Sequence, residues 1–342
     1  MGSLCEKKKT DKRKNQVGES AEGGNEDNSS MLIFEANIIG KKKKADLTNQ
    51  DTSDIITKEL GENIKYFAVY DGHGAKGKEA SLLIRYEIRR KLVKDKAKIA
   101  KFQRKDQVEK YFKEMFKYLQ KKFDGRSNDY ELSGSCAVCI LIIEYKLYCI
   151  NLGDSRAVLG SKKASKKMAL EMSIDHKPTR DDEMKRINER GGEVSDKISG
   201  VMRVFKKNDE APGLAVSRSL GDIVAHECGV ISEPEVIEKE IEAEDLFIVI
   251  ASDGVWDSMS STEVCGFIMD KMETKKEVAC KMLVEECRNR WELLNLYKQR
   301  YLVELYSSKD SSESNNKNKE NIQNVLDIDD ISAVVHFFNY DY

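Results

Sequence analysis

Apolar runs that stop abruptly at an aspartate constrain this chain more than any other feature. Ile64-Lys-Tyr-Phe-Ala-Val-Tyr70 halts at Asp71-Gly72-His73-Gly74, and Asp245–Ser252 halts at Asp253-Gly254. Asp154 follows the run Cys149-Ile-Asn-Leu152, and Asp329 precedes the last apolar run, Ser332–Phe338. A lone aspartate at a strand end is usually a turn former, because its side chain bonds nearby backbone amides. Several in the same setting point instead to packed strands that bring carboxylates to one place, where the like charges need cations to neutralise them. Oxygen ligands without a His or Cys cluster favour Mg2+ or Mn2+ over zinc, which recruits imidazole or thiolate. Two such ions would sit about 3.5–4 Å apart and share a bridging hydroxide.

The patterns between these runs suggest the architecture. Ala80, Ile84, Ile88 and Leu92, four apart, predict a helix from Gly77, and a second helix is expected from about Gln107 to Phe123. Cys136–Glu144, Leu147–Asn151 and Arg156–Gly160 read as an antiparallel meander. A charged helix from about Asp181 to Arg190 should end at Gly191-Gly192, and a hairpin-like segment spans Glu193–Phe205. Cys280, Leu283, Cys287, Trp291 and Leu294 mark one face of a long helix. Short strand connections with helices between them indicate an α+β fold in which helices cover antiparallel sheets. Residues 1–15, with Lys7, Lys8, Lys9, Lys12, Arg13 and Lys14, read as a flexible basic tail. Stretches near 40–61 and 307–321 read as polar insertions, the first a solvated loop carrying Lys41–Lys44. No internal repeat is visible.

At 342 residues the length allows two ordinary domains or one large one. The net charge of -2 gives no reason to expect nucleic acid as a partner. No apolar run approaches the roughly 20 residues that span a bilayer, and no secretory signal follows Met1, so a cytoplasmic protein is expected. The 8 cysteines sit in apolar segments and read as reduced core residues. Cys136 and Cys139 form a C-x-x-C, but on a strand they would point to opposite faces, and no second such pair completes a zinc site.

An ordered series of motifs resembles the metal-dependent protein serine/threonine phosphatases of type 2C. It comprises Asn25-Glu26-Asp27, Phe67-Ala-Val-Tyr-Asp-Gly-His-Gly74, Ser133-Gly-Ser135 and Asn151-Leu-Gly-Asp-Ser-Arg-Ala-Val-Leu159. Asp175-His-Lys-Pro178, Gly213-Leu-Ala-Val-Ser-Arg-Ser-Leu-Gly-Asp222, Ala251-Ser-Asp-Gly-Val-Trp-Asp257 and Asp329-Asp-Ile-Ser332 complete it. The resemblance covers nearly the whole chain, so it implies a single catalytic domain over residues 16–342. It implies a central β-sandwich of two antiparallel sheets flanked on both sides by helices, a four-layer α-β-β-α arrangement. Asp71 would bridge two metals, with the Gly72 carbonyl and Asp27 on one and Asp253 and Asp329 on the other. Glu26 would bind through water, and Asp154 with Asp253 and Asp257 resembles a third metal position.

Such a centre implies hydrolysis of phosphoserine and phosphothreonine on proteins by direct attack of a metal-bridging hydroxide. His73 is the candidate general acid for the departing alkoxide, whereas His176, His226 and His336 have no comparable setting. No cysteine phosphate loop, nucleophile elbow or Walker-type loop offers another chemistry. One departure stands out: the family commonly places a basic side chain five residues before the Asp27 position to grip phosphate, and this chain has Glu22. Either another cation, such as one from the Lys12–Lys14 arm, substitutes, or ground-state binding is weak. The alternative reading is a catalytically impaired scaffold that binds phosphoproteins, although the acid set is intact. Met1-Gly2-Ser3-Leu4-Cys5 followed by lysines suggests acylation at Gly2 and Cys5 and peripheral membrane contact, against a bland basic tail because Glu6 stands where Ser or Thr is usual. A monomer is expected, with phosphorylated proteins as substrates, selected by the Glu193–Phe205 hairpin and the segment through Asp222. Nuclear entry is left open.

Overall fold

The structure, a computed structural model, describes residues 33–40, 48–197, 200–307 and 328–338. Its first elements are β1 (Ile33–Ile38), β2 (Thr52–Ile56), β3 (Ile64–Tyr70), β4 (Gly72–His73), α1 (Gly77–Ile99), α2 (Lys105–Asp124) and α3 (Ser127–Tyr130). Next come β5 (Gly134–Ser135), β6 (Ala137–Ile143), β7 (Lys146–Leu152), β8 (Arg156–Lys163), β9 (Lys166–Glu171) and α4 (Asp181–Glu189). β10 (Gly192–Ser195), β11 (Arg203–Lys206), β12 (Pro212–Leu214), β13 (Leu220–Gly221), α5 (Ile223–Glu227), β14 (Glu235–Glu240) and β15 (Asp245–Ala251) follow. The last are α6 (Asp253–Trp256), α7 (Ser261–Ser307) and β16 (Ile331–Phe337).

Two five-stranded antiparallel sheets, ordered β14-β7-β6-β3-β2 and β1-β16-β15-β8-β9, form the sandwich. Successive strand side chains point to opposite faces, and here both faces are covered. On β6, Ala137, Cys139, Leu141 and Ile143 pack under α1 and α2, whereas Val138, Ile140 and Ile142 meet the second sheet. On β15, Ile248 and Ile250 face the first sheet, and Phe247, Val249 and Ala251 lie under α7. That double burial explains why these strands read as continuous apolar runs rather than alternating ones. Each fully buried Leu, Ile or Phe contributes about 1.5–3 kcal/mol, so the three apolar layers hold the four structural layers together. The α+β sandwich with helices on both outer faces is therefore present.

Three local expectations change. Cys136–Glu144, Leu147–Asn151 and Arg156–Gly160 do not form one meander: β6 pairs with β7, but β8 pairs with β15 and β9 in the other sheet. Gly153-Asp154-Ser155 is thus the crossing between sheets, and the unforeseen strand β9 completes a hairpin with β8. The stretch near 40–61 is not simply a solvated loop either, because β2 pairs with β3 in full register from Thr52↔Tyr70 to Ile56↔Tyr66. Polar composition concealed it: Thr52, Asp54 and Ile56 are the buried positions, and Arg89 of α1 donates to the Asp54 carboxylate at 2.6 Å. Finally, the long helix α7 breaks at Lys275 (φ -151°, ψ 66°), which lets both of its halves lie on the same sheet. Residues 308–327, holding most of the second polar insertion, and the 1–15 tail lie outside the described residues.

Candidate metal centre and cleft

Strand register brings the acids together. Thr52 pairs with Tyr70, so Asp51, one residue before, falls opposite Asp71, one residue after. Ala251 pairs with Arg156, so Asp253 and Asp154, each two residues further on, meet at the same end of the second sheet. Cys136 donates its backbone N–H to the Asp71 carbonyl at 2.9 Å, which fixes the end of β3 against β6. Asp71, Asp154 and Asp253 consequently place carboxylate oxygens within 4.8 Å of one another. They line a cleft of about 340 Å³ that also takes in Gln50, Gly72, His73 and Asp329. The rest of its lining includes Arg203 on β11 and the segment around β12, Pro212 to Val216.

Glycine at position 72 is required by close backbone approach. A Cβ there would lie 2.2 Å from the Gly77 carbonyl oxygen and 2.8 Å from that of Gln50. Asp330 anchors the neighbouring chain, its two carboxylate oxygens accepting the Gly40 N–H at 2.7 Å and the Gln50 N–H at 2.8 Å. Asp51 is held in turn by Ser252 Oγ, which donates to its Oδ2 at 2.8 Å.

Electrostatics distinguish these acids from ordinary surface carboxylates. Burial, then the charges of Asp253, Asp51 and Asp329, push the Asp71 carboxyl well above its usual range. Asp253 is raised in the same way by burial and by Asp329, Asp154 and Asp257. Asp51 is pushed up to about 7 by burial and the Asp330 charge, despite the opposing Ser252 hydrogen bond. One ammonium enters: Lys177 Nζ lies 2.5 Å from Asp154 Oδ2. An all-oxygen donor set with few cations among the described residues suits hard divalent ions such as Mg2+ or Mn2+, which take carboxylate and carbonyl ligands.

His73 sits beside the acids with Nε2 2.7 Å from Asp222 Oδ2. Ser219 Oγ donates to that same carboxylate oxygen at 2.6 Å. Burial alone would lower the imidazole pKa, but the Asp222 carboxylate raises it, favouring the protonated ring.

Of the residues expected from sequence, Asp71, Gly72, His73, Asp154, Asp253 and Asp329 line one cleft. Asp257 is exposed and is not part of the cleft lining, although its charge acts on Asp253. Glu22, Glu26, Asp27, Gly2, Cys5 and the Lys12–Lys14 arm lie outside the described residues. Cys136 Sγ faces Asp154 Oδ1 at 3.5 Å while Cys139 packs under the helices, so the C-x-x-C does not converge. Asp51, Asp222, Lys177 and Arg203 were missed. The signal for Asp51 was present: Asn49-Gln50-Asp51 repeats the Asn-x-Asp form of Asn25-Glu26-Asp27 and leads directly into the strand paired with β3.

A four-layer αββα sandwich with carboxylates gathered at one end is the arrangement that the sequence resemblance to metal-dependent phosphatases implies. The sequence pattern of the family "Protein phosphatase 2C" matches residues 40–291, a span that contains Asp51 and omits Asp27. The chain belongs to the protein phosphatase 2C family. It is 32% identical over 244 residues to "Probable protein phosphatase 2C 35" of Arabidopsis thaliana, covering 65% of this chain and 68% of that protein. It is 29% identical over 290 residues to the bovine "Integrin-linked kinase-associated serine/threonine phosphatase 2C", covering 80% of this chain and 75% of that one. In fold it is similar to the crystal structure of serine-threonine phosphatase 2C from Toxoplasma gondii, with a TM-score of 0.66 at 19% identity over 90% of this chain and 94% of that one. The enzyme is accordingly a protein serine/threonine phosphatase. Among the described residues no helix is long and apolar enough to cross a membrane.

Proposed function

We propose that this phosphatase hydrolyses phosphoserine and phosphothreonine on other proteins in the cleft built around Asp71, Asp253 and Asp51, with two Mg2+ or Mn2+ ions as cofactors. The observation that carries this reading is the meeting of carboxylate oxygens from half-buried Asp71, buried Asp154 and half-buried Asp253 within 4.8 Å of one another. Asp71 stands between the two groups of ligands: the Gly72 carbonyl and Asp51 on the side of β2, and Asp253 and Asp329 on the side of β15 and β16. Asp51 takes the part that sequence resemblance gave to Asp27, and Gln50 replaces the acidic neighbour expected at Glu26. Asp154, with Asp257 near it, offers a third position, for which Lys177 competes.

Divalent ions bound there supply a nucleophile from water near neutral pH and stabilise charge on the transferring phosphoryl oxygens. The chain's own residues do the rest. Asp71, Asp154 and Asp253 would hold the cations, and the partial burial of these carboxylates limits their screening by bulk water. His73, held by Asp222, delivers a proton to the departing serine or threonine oxygen, which is a poor leaving group without one.

The test is phosphate release from phosphoserine and phosphothreonine peptides by purified protein with Mn2+ or Mg2+, and its loss in chelator. Release abolished by chelator is the expected result. A folded, cation-loaded protein that releases none from any such peptide would instead be a phosphoprotein-binding scaffold. Cytoplasmic location, a monomeric state and membrane contact through acylated Gly2 and Cys5 remain part of the proposal, the last decided by mass spectrometry of the native N-terminus.

A further inference from the structure

We infer that Arg203, on the strand β11 and lining the same cleft as the acid cluster, is the side chain that grips the substrate's phosphate. Among the described residues lining the cleft it is the one lysine or arginine. Its guanidinium is half used: Nη1 donates to the Gly213 carbonyl at 2.9 Å, which ties β11 to the β12 segment. Nε is shielded from water and has no hydrogen-bond partner among the described residues. A buried donor left unpaired costs free energy, and such an atom in a native fold calls for a ligand.

The unused edge has a particular shape. Arg156 grips Asp175 through Nε (2.9 Å) and Nη2 (2.8 Å). Arg180 grips Asp182 through the same two nitrogens, both at 2.7 Å. Arg218 turns that edge on Glu183, Nε at 3.0 Å and Nη2 at 2.6 Å. In each case the planar fork matches an anion with two oxygens, and a phosphoryl group offers the same geometry. At Arg203 the Nε/Nη2 edge has no carboxylate, although the cleft it lines ends in acids suited to cations. An anion held between the fork and those cations satisfies both, and a phosphate monoester is that anion. The inference rests on the proposed phosphatase reading for the ligand's identity.

The experiment titrates inorganic phosphate into Mn2+-loaded protein by calorimetry, for wild type, Arg203→Lys and Arg203→Ala. Michaelis constants for a phosphothreonine peptide with neutral flanks are measured in parallel. Loss of the fork should weaken phosphate binding roughly tenfold or more in Arg203→Ala, with only partial recovery in Arg203→Lys, since a lysine lacks the paired donors. The peptide KM should rise by a similar factor while kcat changes less. Phosphate binding unchanged within about twofold in folded Arg203→Ala overturns the inference. So does an effect confined to peptides with Asp or Glu beside the phosphoresidue, which would assign Arg203 to the peptide. If the melting curve shows Arg203→Ala misfolded, Arg203→Lys decides by the same criterion. Wild-type protein that binds phosphate through Arg203 but hydrolyses nothing would refute the catalytic reading and leave this one standing. Wild-type protein that binds no phosphate overturns it.

Discussion

Two groups of three carboxylates in the described residues come close enough to share a cation, Asp71 with Asp154 and Asp253, and Asp182 with Glu183 and Glu235. The second group is neutralised from within. Glu183, fully buried, accepts from Arg186 at 2.6 and 2.8 Å and from Arg218 at 2.6 and 3.0 Å, and Glu235 accepts from Arg180 and Arg218. Burial would raise the Glu183 carboxyl, but these guanidinium hydrogen bonds bring it down to about 2. At the first group the balance reverses: burial and neighbouring acids raise Asp71 and Asp253, and among the described residues Lys177 alone answers them, through Asp154. The second cluster carries its own counter-charges, whereas the first, among the described residues, carries one. Proximity of acids therefore does not identify a metal site. The missing internal counter-charge does.

The sharpest break between the two clusters should come from neutralising one acid in each. If Asp253 is a cation ligand as proposed, Asp253→Asn removes several kcal/mol of transition-state stabilisation, so phosphopeptide turnover should fall on the order of 10³-fold with little change in melting temperature. Glu183→Gln should do the opposite. It strands two buried guanidinium groups, and breaking such a pair from one side costs about 3–5 kcal/mol of stability, read by denaturant unfolding, while the Mn2+ requirement of the remaining folded enzyme is unchanged. A Glu183→Gln protein as stable as wild type would erase the distinction.

The clusters should also answer pH in opposite directions. Glu183 has a folded-state pKa below the unfolded 4.5, so its contribution is present above that value and is lost as pH falls toward about 2. Asp51 in the cation-free protein is raised from 3.8 to about 7, so the folded state binds the extra proton and stability declines as pH rises through that window. Thermal melts in chelator should show that decline between 3.8 and about 7, and Mn2+ should remove it. Equal profiles with and without Mn2+ would mean the acids are not cation ligands.

Asp51 sharpens the comparison further, because the sequence offers a rival. Asp51→Asn should lower kcat/KM about 10²-fold, with partial recovery at higher Mn2+, as expected when one of several carboxylate ligands is lost. Asp27→Asn should stay within about twofold of wild type. The reverse pattern would restore the N-terminal triplet to the site.

That the sequence points to Asp27 and hides Asp51 shows what is legible in it. Asp71 and Asp253 stand at the ends of long apolar strands, and their positions could be read because burial on both sheet faces leaves an unbroken hydrophobic run. Asp51 precedes a strand whose buried positions include Thr52 and Asp54, with Arg89 compensating the charge, so composition disguised it as a loop. The order of strands was hidden for a different reason: β7 and β8 are joined by Gly153-Asp154-Ser155, a connection as short as a hairpin turn, yet it crosses between sheets. Arg203 and Asp222 were invisible because their meaning depends on contacts across the cleft, 149 residues apart in the case of His73 and Asp222. Period and propensity report local structure, and neither carries that kind of pairing.

The smallest expected effect concerns that last pair. Asp222 raises the imidazole pKa of His73, so Asp222→Asn should lower it and leave less protonated ring at a given pH. Alkyl phosphates such as phosphoserine peptides need the proton and should lose about tenfold, whereas aryl phosphates, whose leaving groups depart as stable anions, should change by no more than about twofold. The high-pH limb of the phosphopeptide profile should move to lower pH in the same variant. His73→Ala should show the same split in larger measure and abolish the shift of the limb. Because Asp222 also accepts from Ser219 Oγ and holds β13 near β5, a merely structural role would lower both substrates together. Equal losses on alkyl and aryl phosphates would therefore make Asp222 a support of the cleft wall and remove the general-acid assignment from His73.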